Sequence, residues 1–495
     1  MFIHLYIVAV GSVSFNDAAR ILAVFPTPSF SHQVAFRPLT QELARRGHEV
    51  TVITPDPAFP KGQTPPNLTE IDVHDLSYNL WIENIVKITV SQGNKEDLKK
   101  QLQAFLPTIL KIVMKQLQVD EVKDMISDKT KKFDLLLLEA CARPALVFSH
   151  IYKVPVILVS SFGVVPGNLE AVGAPDHPLL YSNPIRQRLN NLTLLDKFTE
   201  TFNYYGFQSL FKSHEEIEYE SFKKKFGPAT PTVAEMSDNV HMLFLNVNPV
   251  FEGVRPVPPT VIFMGGLHQK PVNELPSDLK SYLDASKKGV IYVSFGTNVD
   301  TKQLPAERVQ TLVKAFSKLP YDVLWKWDAS ELPGRSNNIK ISKWLPQSDL
   351  LRHKNIKLFI TQGGLQSTDE ALTAGVPFIG VPMLGDQWHN VERYEYHKIG
   401  VKLDLETLTE AQLTKAITTV IGDSSYRENV RKLRTLMDDE PMRPLERAVW
   451  WTEHVLRHGG AKHLRSPAAN ISWTPHYTVR SGILLPQRKM SCFKS

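Results

Sequence analysis

Short apolar runs rich in β-branched residues alternate with helical patterns along both halves of the chain, and this alternation constrains the fold more than any other feature. Strands that are apolar on both faces are typical of parallel sheets covered by helices on each side. In the first half the pattern predicts a helix over 32–46, a helix over 98–117 that Pro107 interrupts, and strands over 21–25, 49–53, 133–138 and 156–160.

A proline-rich stretch, 255–260, separates this alternation from a second one. There the pattern predicts helices that begin near Pro305, Gln366 and His389, and strands over 290–295, 322–327, 357–361 and 377–381. We therefore expect an α/β protein of two doubly wound, Rossmann-like domains joined near residues 255–275. Such sheets bind ligands at the carboxyl ends of their strands, so functional residues are expected there.

The composition excludes several other classes of protein. The chain has 495 residues, 42% of them apolar, which fits roughly two to four domains with cores of their own. Its two cysteines, Cys141 and Cys492, cannot form a disulfide framework or a cysteine-rich zinc site. The net charge of +6 comes from the end of the chain, since seven Lys and Arg residues and no Asp or Glu follow Glu453. This basic tail lacks helical periodicity, so we expect a solvated extension and no nucleic-acid partner.

The amino terminus is apolar over its first 15 residues apart from His4 and serines. We interpret residues 1–19 as a secretory signal peptide, with a first buried strand as the alternative because the segment lacks Lys or Arg. Glycosylation triplets at Asn67, Asn191 and Asn470 fit entry into the endoplasmic reticulum. After residue 20 no apolar run approaches the roughly 20 residues of a spanning helix. We expect a protein of the endoplasmic reticulum lumen or a secreted one, with weak or no membrane contact.

The densest chemical signal lies in residues 360–387. Gly363 and Gly364 follow a strand and precede a helix that begins near Gln366, a turn that leaves backbone amides free to bind an anion. One turn into that helix, Glu370 is spaced to bind the hydroxyls of a ribose. The end of the next strand carries an acid and an amide suited to sugar hydroxyls, Asp386 and Gln387.

A tryptophan and a glutamine precede that segment. Trp344 is followed by a proline two residues on, so its ring can offer a flat face to a base, while Gln347 can bond the attached ribose. Taken alone, Trp344 would be interpreted as a core residue. Its position ahead of the glycine turn instead favours a nucleotide site.

The first half carries a candidate acid–base pair. His32 stands at a predicted helix start, where an imidazole can deprotonate a hydroxyl near neutral pH. Glu139 ends an apolar strand and can orient His32 and stabilise its imidazolium; a helix cap is the alternative role. For Cys141, two residues later, we expect packing in the core.

The donor-binding signature of the UDP-glycosyltransferases resembles, in order and spacing, a set of residues in the second half of this chain, which are Trp344, Gln347, Gly363, Gly364, Ser367, Glu370, Asp386 and Gln387. The resemblance covers the chain from Ala23 to about Arg465, and the insect members are the most similar. It implies a GT-B fold, in which two Rossmann-like domains face a central cleft, and an inverting transfer without metal or other cofactor. His32 is then the general base and Glu139 its orienting partner.

The resemblance also implies the roles of the donor-binding residues. Uracil is expected to stack on Trp344, and ribose to bind Gln347 and Glu370. The phosphates are expected beside the turn and its neighbours, which are Ser294, Thr361, Gln362, Gly363, Gly364, Gln366 and Ser367. Asp386 and Gln387 are expected to hold the donor sugar.

The expected domain bounds combine the apolar amino terminus, the alternating pattern and the proline-rich stretch with the roles that this resemblance implies. They are a signal peptide, 1–19; an acceptor-binding domain, 20–255; a linker, 256–275; a UDP-sugar-binding domain, 276–465; and a basic tail, 466–495, that lacks the spanning helix of membrane-bound relatives. Two further departures concern the site. Gln362 stands where many relatives have histidine, and Glu139 is one methylene longer than the aspartate that is common there, which puts its distance to His32 in question.

The activity implied is transfer of a hexose, glucose by resemblance, from a UDP-sugar to a hydroxyl of a small lipophilic acceptor, in detoxification or in conjugation of a hormone or pigment. A carboxylated sugar usually requires a nearby Arg, and residues 360–387 contain none. The acceptor pocket is expected from residues 55–125 and 162–220, which leave phenols, steroids and plant toxins equally open. The sequence does not indicate the oligomeric state.

Two alternative functions remain. One is a non-catalytic protein that binds a nucleotide sugar or a lipophilic ligand, which the presence of both His32 and Glu139 disfavours. The other is a different GT-B activity, such as a UDP-sugar epimerase or a transferase acting on a lipid-linked sugar, which the residues from Trp344 to Gln387 disfavour.

Overall fold

The computed structural model describes residues 18–86, 98–181, 183–186, 188–299, 301 and 304–470. The strands of the first sheet are β1 (Arg20–Val24), β2 (Glu49–Thr54), β3 (Leu68–Asp72), β4 (Leu135–Glu139), β5 (Val156–Ser160), β6 (Val240–Leu245) and β7 (Val261–Phe263). Those of the second are β8 (Val290–Ser294), β9 (Asp322–Lys326), β10 (Ile339–Ser342), β11 (Ile356–Thr361), β12 (Phe378–Gly380) and β13 (Gly400–Lys402). Every strand pairs in parallel with its neighbours.

Helices cover both sheets. In the first half they are α1 (Phe30–Arg45), α2 (His74–Trp81), α3 (Leu98–Gln116), α4 (Asp120–Ser127), α5 (Val147–Tyr152), α6 (Asn168–Val172), α7 (Leu194–Phe226), α8 (Val233–Ser237) and α9 (Pro249–Glu252). In the second half they are α10 (Ser277–Ala285), α11 (Ala306–Ser317), α12 (Gln347–Leu351), α13 (Leu365–Ala374), α14 (Gln387–Tyr396), α15 (Glu410–Gly422), α16 (Ser424–Asp438) and α17 (Pro444–Arg457). The fold class is therefore α/β, as predicted.

The two sheets share the same strand order over six strands, and the first sheet has a seventh at its edge. The first runs β3-β2-β1-β4-β5-β6-β7 and the second β10-β9-β8-β11-β12-β13. In each, the order reverses direction at a switch point, between β1 and β4 in the first sheet and between β8 and β11 in the second. Central strands such as β4, β5 and β8 are buried along their whole length, which explains why they read as continuous apolar runs.

The strands and helices singled out from the sequence begin and end within two residues of their predicted bounds. One detail is wrong: α3 continues through Pro107 without a break. Proline removes one backbone hydrogen bond from a helix, but Leu106, Ile109 and Val113 bury the same face of α3 on both sides of it. Packing of that face holds the helix together.

The structure differs from the predicted domain bounds at two places. Residues 261–263 of the expected linker form β7, which pairs with β6 at the edge of the first sheet. The last helix, α17, packs on α1 and buries Ala448 and Val449 in the core of the first sheet, with an Arg46–Glu453 ion pair beside them at 3.1 Å. The span 276–465 therefore contributes a helix to the first half.

Both chain ends lie largely outside the described residues. The expected signal peptide falls on residues of which only 18 and 19 are described, and of the basic tail only 466–470 are described. Within the described ranges, no helix combines the length and the apolar character needed to cross a bilayer.

Candidate active site

A histidine and a glutamate meet at the switch point of the first sheet. His32 lies in the first turn of α1, directly after β1, and Glu139 is the last residue of β4. His32 Nδ1 and Glu139 Oε1 are 2.7 Å apart, and the imidazole is 18% exposed while the carboxylate is fully buried. The longer glutamate side chain thus reaches His32, and the ring nitrogen that faces away from Glu139 is Nε2.

The Glu139 carboxylate has two further hydrogen-bond donors. The backbone N–H of Thr27 donates to Oε2 over 3.0 Å, and the thiol of Cys141 donates to Oε1 over 3.2 Å. Burial raises the pKa of the Cys141 thiol well above its usual range, so the thiol keeps its proton. The Gln33 side-chain amide donates to the carbonyls of Phe25 and Thr27 over 3.0 Å and braces this turn. Cys141, expected in the core, is buried and also contacts the pair.

The glycine turn after β11 lets the backbone lie closer to its neighbours than a residue with a β-carbon would allow. Gly363 has φ of +88°, and a β-carbon there would lie 2.5 Å from Val391 Cγ2. The Gly363 N–H donates to Thr361 Oγ1 over 3.3 Å. Gly364 is the N-cap of α13 and has no side chain with which to cap it. The first amides of α13 are therefore available to an anion in the cleft.

Gln362 and Ser294 lie beside this turn. Gln362 Oε1 accepts from Thr361 Oγ1 over 3.0 Å, and the Gln362 side chain lies across Gly296, where a β-carbon would come within 2.2 Å of Nε2. Ser294 ends β8 and lines the cleft. The neutral amide of Gln362 thus occupies the wall of the cleft next to the free amides of α13.

A cluster of hydrogen-bonded polar side chains lies at the mouth of the cleft, where it could bind paired hydroxyls. Gln347 Nε2 donates to Glu370 Oε2 over 2.7 Å and to Ser367 Oγ over 2.9 Å, while Tyr292 Oη donates to Gln347 Oε1 over 3.0 Å. Burial raises the pKa of Glu370. This network connects a strand and two helices of the second half, β8, α12 and α13.

Trp344 stands at the cleft with 62% of its surface exposed. Its ring meets Phe30 of the first half edge to face, with centroids 5.9 Å apart. A tryptophan this exposed cannot be a core residue. Its free face is available to a planar ligand.

An acid and an amide begin α14. Asp386 is the N-cap residue, and its Oδ2 accepts from Asn390 Nδ2 over 2.8 Å; burial raises its pKa. Gln387 Oε1 accepts the N–H groups of Met383 and Leu384 over 2.9 Å and 2.8 Å. These bonds occupy Gln387 Oε1, so its side-chain nitrogen, Nε2, is the end available to a ligand.

One cavity of about 390 Å³ between the two sheets brings most of the predicted site residues together. Those that line it are His32, Ser294, Trp344, Gln347, Gln362, Gly364, Gln366, Ser367, Glu370, Asp386 and Gln387. The other three lie behind its wall: Glu139 supports His32, and Thr361 and Gly363 form the turn beneath α13. The Gln366 side chain donates to the carbonyl of Ser161 over 2.9 Å, a contact between the two halves.

The sequence reading missed several residues that line the same cavity. Phe162 meets the His32 ring edge to face at 5.6 Å. Asn298 Nδ2 donates to Ser29 Oγ over 3.1 Å across the cleft. Lys326, the last residue of β9, donates to the carbonyl of Gly296 over 3.0 Å and to Asp328 over 3.1 Å. Its place at the carboxyl end of a predicted strand was the available signal.

The chain is similar to known proteins along nearly its whole length. A model of the family described as "UDP-glucoronosyl and UDP-glucosyl transferase" matches residues 20–481. An ecdysteroid UDP-glucosyltransferase of Spodoptera littoralis nuclear polyhedrosis virus is 36% identical over 93% of this chain and 92% of its own length. UDP-glucosyltransferase 2 of Dactylopius coccus is 33% identical over 95% of this chain and 90% of its own length.

Solved structures resemble the chain at lower identity. The glycosyltransferase of kitacinnamycin superposes with a TM-score of 0.60 at 18% identity, over 90% of this chain and all of its own. UDP-glucose:anthocyanidin 3-O-glucosyltransferase, solved with UDP, gives 0.59 at 17% identity, over 88% of this chain and 99% of its own. These likenesses establish the GT-B fold. With the family match over nearly the whole chain, they make this protein a member of the UDP-glycosyltransferase family and a glycosyltransferase enzyme.

Proposed function

We propose that the protein transfers glucose from UDP-glucose to a hydroxyl of a small lipophilic acceptor, with His32 as the general base. The observation that carries this proposal is the 2.7 Å contact between His32 and the buried Glu139, in the same cavity as the glycine turn of α13. Transfer of a sugar from a nucleotide requires a base to activate the acceptor and an anion site to hold the leaving phosphates, and both face this cleft. A protein that only binds a nucleotide sugar does not require the base.

In the proposed mechanism His32 Nε2 takes the proton of the acceptor hydroxyl. Glu139 holds the ring through Nδ1 and stabilises the imidazolium that forms. The acceptor oxygen attacks the anomeric carbon while the bond to the phosphate oxygen breaks on the opposite face. An α-linked donor therefore gives a β-glycoside.

The leaving group is UDP, whose charge grows on the phosphate oxygens. The free amides at the start of α13 face that charge, with the positive end of the helix dipole behind them. Preorganised donors of this kind stabilise charge at the moment it develops. On this proposal Trp344 stacks on uracil, Gln347 and Glu370 bond the ribose, and Asp386 and Gln387 hold the sugar, without a metal ion.

The acceptor is proposed to bind against the apolar groups that flank His32, which are Phe30, Val34 and Phe162. A second, larger cavity of about 1150 Å³ opens beside Phe30, but Asp56, Glu70 and Asp72 line it, and a lipophilic compound would not favour it. Several relatives are named for transfer to ecdysteroids. Among phenols, steroids and plant toxins, we therefore propose a steroid hydroxyl first.

The compartment proposed is the endoplasmic reticulum. Two of the three glycosylation triplets begin at exposed asparagines with positive φ, Asn67 and Asn191, at the surface of the first half. Both are accessible to glycan attachment. Endoglycosidase treatment of protein expressed in insect cells should then increase its gel mobility, and Asn67→Gln with Asn191→Gln should reduce that change.

The decisive experiment measures UDP release from UDP-glucose with an ecdysteroid and a panel of phenols, for the parent, His32→Ala and His458→Ala. His458 is an exposed histidine that does not line the cleft, and it serves as the matched control. We expect release that requires an acceptor in the parent and control, and a loss of about 10²–10⁴-fold in His32→Ala. UDP-glucose binding without release from any acceptor would refute the transfer and leave a binding protein.

A further inference from the structure

Three different metal-ligating side chains converge behind the cleft. Cys141 Sγ lies 3.2 Å from Glu139 Oε1 and 3.9 Å from His32 Nδ1, and the latter two atoms are 2.7 Å apart. Among the residues that the structure describes, these form the only group of three His, Cys, Asp or Glu ligand atoms within 4.8 Å of one another. The sequence predicted no such cluster, because Cys141 was expected to pack in the core.

We propose that this cluster binds a zinc ion, and that zinc in this position reversibly inhibits the transferase. The inhibition, though not the binding, rests on the proposed role of His32 as the base. Thiolate, imidazole and carboxylate are ligands that zinc accepts together, with a water molecule able to complete four-coordination. Magnesium and calcium, which prefer oxygen ligands, should not compete.

The distances are close to those that zinc requires. With zinc bonds of about 2.0–2.1 Å to nitrogen and oxygen and about 2.3 Å to sulfur, tetrahedral angles place the ligand atoms roughly 3.3–3.6 Å apart. The three observed separations, 2.7, 3.2 and 3.9 Å, bracket that range. Shifts of about half an ångström in the side chains would therefore suffice, without movement of β4 or α1.

Zinc binding exchanges protons in a defined way. The S–H bond of Cys141 breaks as the Zn–S bond forms, and that proton leaves to solvent. His32 stays neutral, but Nδ1 must give its lone pair to the metal, so the ring proton moves to Nε2. A protonated Nε2 cannot accept the proton of the acceptor hydroxyl. The metal thus removes the base while leaving the donor site on the second sheet intact.

Access to the site is through the cleft. Glu139 is 1% exposed and Cys141 7%, whereas the His32 side chain is 18% exposed and lines the central cavity. A bound acceptor would cover the same route. Zinc and acceptor should therefore compete, whereas zinc and UDP-glucose should not.

The first test measures zinc binding directly, by competition with a chromogenic chelator. An exposed histidine cluster, His454, His458 and His463, could hold zinc independently, since His454 Nε2 and His463 Nε2 are 3.1 Å apart. The titration therefore uses a His454→Ala, His463→Ala background. Cys141→Ser is compared there with Cys492→Ser, which alters the other cysteine of the chain and is the matched control.

We expect one zinc ion per chain in the background and in Cys492→Ser, and binding weakened by at least about tenfold in Cys141→Ser. Serine keeps a hydroxyl that can donate to Glu139, and an unchanged melting temperature would show that the variant folds. Equal zinc binding by Cys141→Ser and Cys492→Ser would overturn the proposal, as would a background protein that binds no zinc.

The second test measures UDP release at free zinc concentrations fixed by a chelator buffer, with each variant referred to its own zinc-free rate. The parent should lose activity as the site fills, regain it on addition of chelator, and show no such loss with magnesium. Cys141→Ser should need at least about tenfold more zinc. If no protein releases UDP even without zinc, the proposed transferase function fails, while the binding measurement still decides whether the site exists.

Discussion

The two switch points of this molecule share their topology and differ in their chemistry. In the first sheet, β1 leads into α1, whose first turn carries His32, and β4 ends in Glu139; the imidazole contacts the buried carboxylate, and no glycine lies between β1 and α1. In the second, β8 and β11 occupy the same places in the same strand order, but the chain leaves β11 through two glycines and an uncapped helix. On the proposed mechanism, the first edge accepts a proton and the second binds an anion.

This difference teaches that strand order positions a site without deciding what the site does. The carboxyl ends of the central strands give each sheet a place for ligands. The residues of the two connecting turns then decide the chemistry. Because the two sheet edges face one cleft, the proposed proton transfer and anion binding occur in the same site. If this is right, damage at the first switch point should affect the rate of transfer, whereas damage at the second should affect donor binding.

The largest effect is expected at the carboxylate of the first switch point. Glu139→Gln keeps the size of the side chain but removes the charge that stabilises the imidazolium, and its amide can present N–H to His32. We expect turnover to fall by about 10²–10³-fold while the KM for UDP-glucose stays within about twofold. Steady-state UDP release measures both constants.

Glu139→Asp is the matched control, since aspartate retains the charge and loses only one methylene. It should recover part of the lost turnover. A large rise in the donor KM for either variant would contradict the separation of the two switch points.

The next effect is expected from Gly363→Ala in the second switch point. Alanine would be strained at φ +88°, and its β-carbon would lie 2.5 Å from Val391 Cγ2. We expect a loss of about 2–5 kcal/mol in the free energy of unfolding and a donor KM raised by about tenfold or more, as α13 moves. Urea denaturation and UDP-glucose titration check the two parts. Gly422→Ala, at a glycine with open space around it, should be stable and fully active.

A smaller effect is expected from Glu370→Gln. The carboxylate accepts from Gln347 over 2.7 Å, and on the proposed mechanism it binds a ribose hydroxyl through the same charge. A lost charge-assisted hydrogen bond corresponds to about 1.5–3 kcal/mol, so the donor KM should rise by about 10-fold or more with turnover changed much less. Calorimetric titration with UDP gives an independent value. An unchanged affinity for UDP would remove Glu370 from the ribose site.

Much of the fold could be predicted because its strands are buried on both faces and its helices lie at the surface. β5 was predicted to the residue, and β1, β4, β8 and β11 to within two. The edge strands β3, β7 and β13 were missed because three to five residues make too short an apolar pattern, and β6 and β10 were not predicted either. The 33-residue α7 was missed because its apolar residues do not share one face: Phe207 and Phe211 are buried while Phe198 and Phe202 are exposed.

On the proposed assignment, the donor-side residues could be named from the sequence more completely than the acceptor-side residues. The residues predicted for the donor site, apart from Ser294, lie between Trp344 and Gln387, so one stretch of sequence carries them. The acceptor side is assembled from distant turns, with His32, Cys141 and Phe162 brought together only by the sheet. The thiol contact to Glu139 could not be inferred, because it depends on the path of the chain after β4.

Substitution of Asp369, a buried acid in the second half, is expected to have the smallest effect on turnover and the clearest effect on stability. Asp369 lies one residue before Glu370, and burial raises its pKa to about 8. Its carboxyl group accepts the N–H of Gly266, and Oδ2 has no hydrogen-bond partner among the described residues. Glu139, by contrast, is held by the Thr27 N–H, Cys141 and His32. Asp369 is therefore kept neutral by its buried surroundings, whereas Glu139 is surrounded by hydrogen-bond donors.

Linkage gives the sign of the resulting pH dependence. Between the ordinary aspartate pKa near 4 and about 8, the unfolded chain has lost this proton while the folded protein keeps it, so stability falls as pH rises through that window. Asp369→Asn cannot titrate and should escape the loss. Its melting temperature should exceed the parent's by an amount that grows from about pH 4 to pH 8, at roughly 2–4 °C per kcal/mol, with turnover unchanged. Scanning calorimetry at pH 5 and pH 8 measures the difference, and an equal gap at both would mean that Asp369 is ionised in the fold.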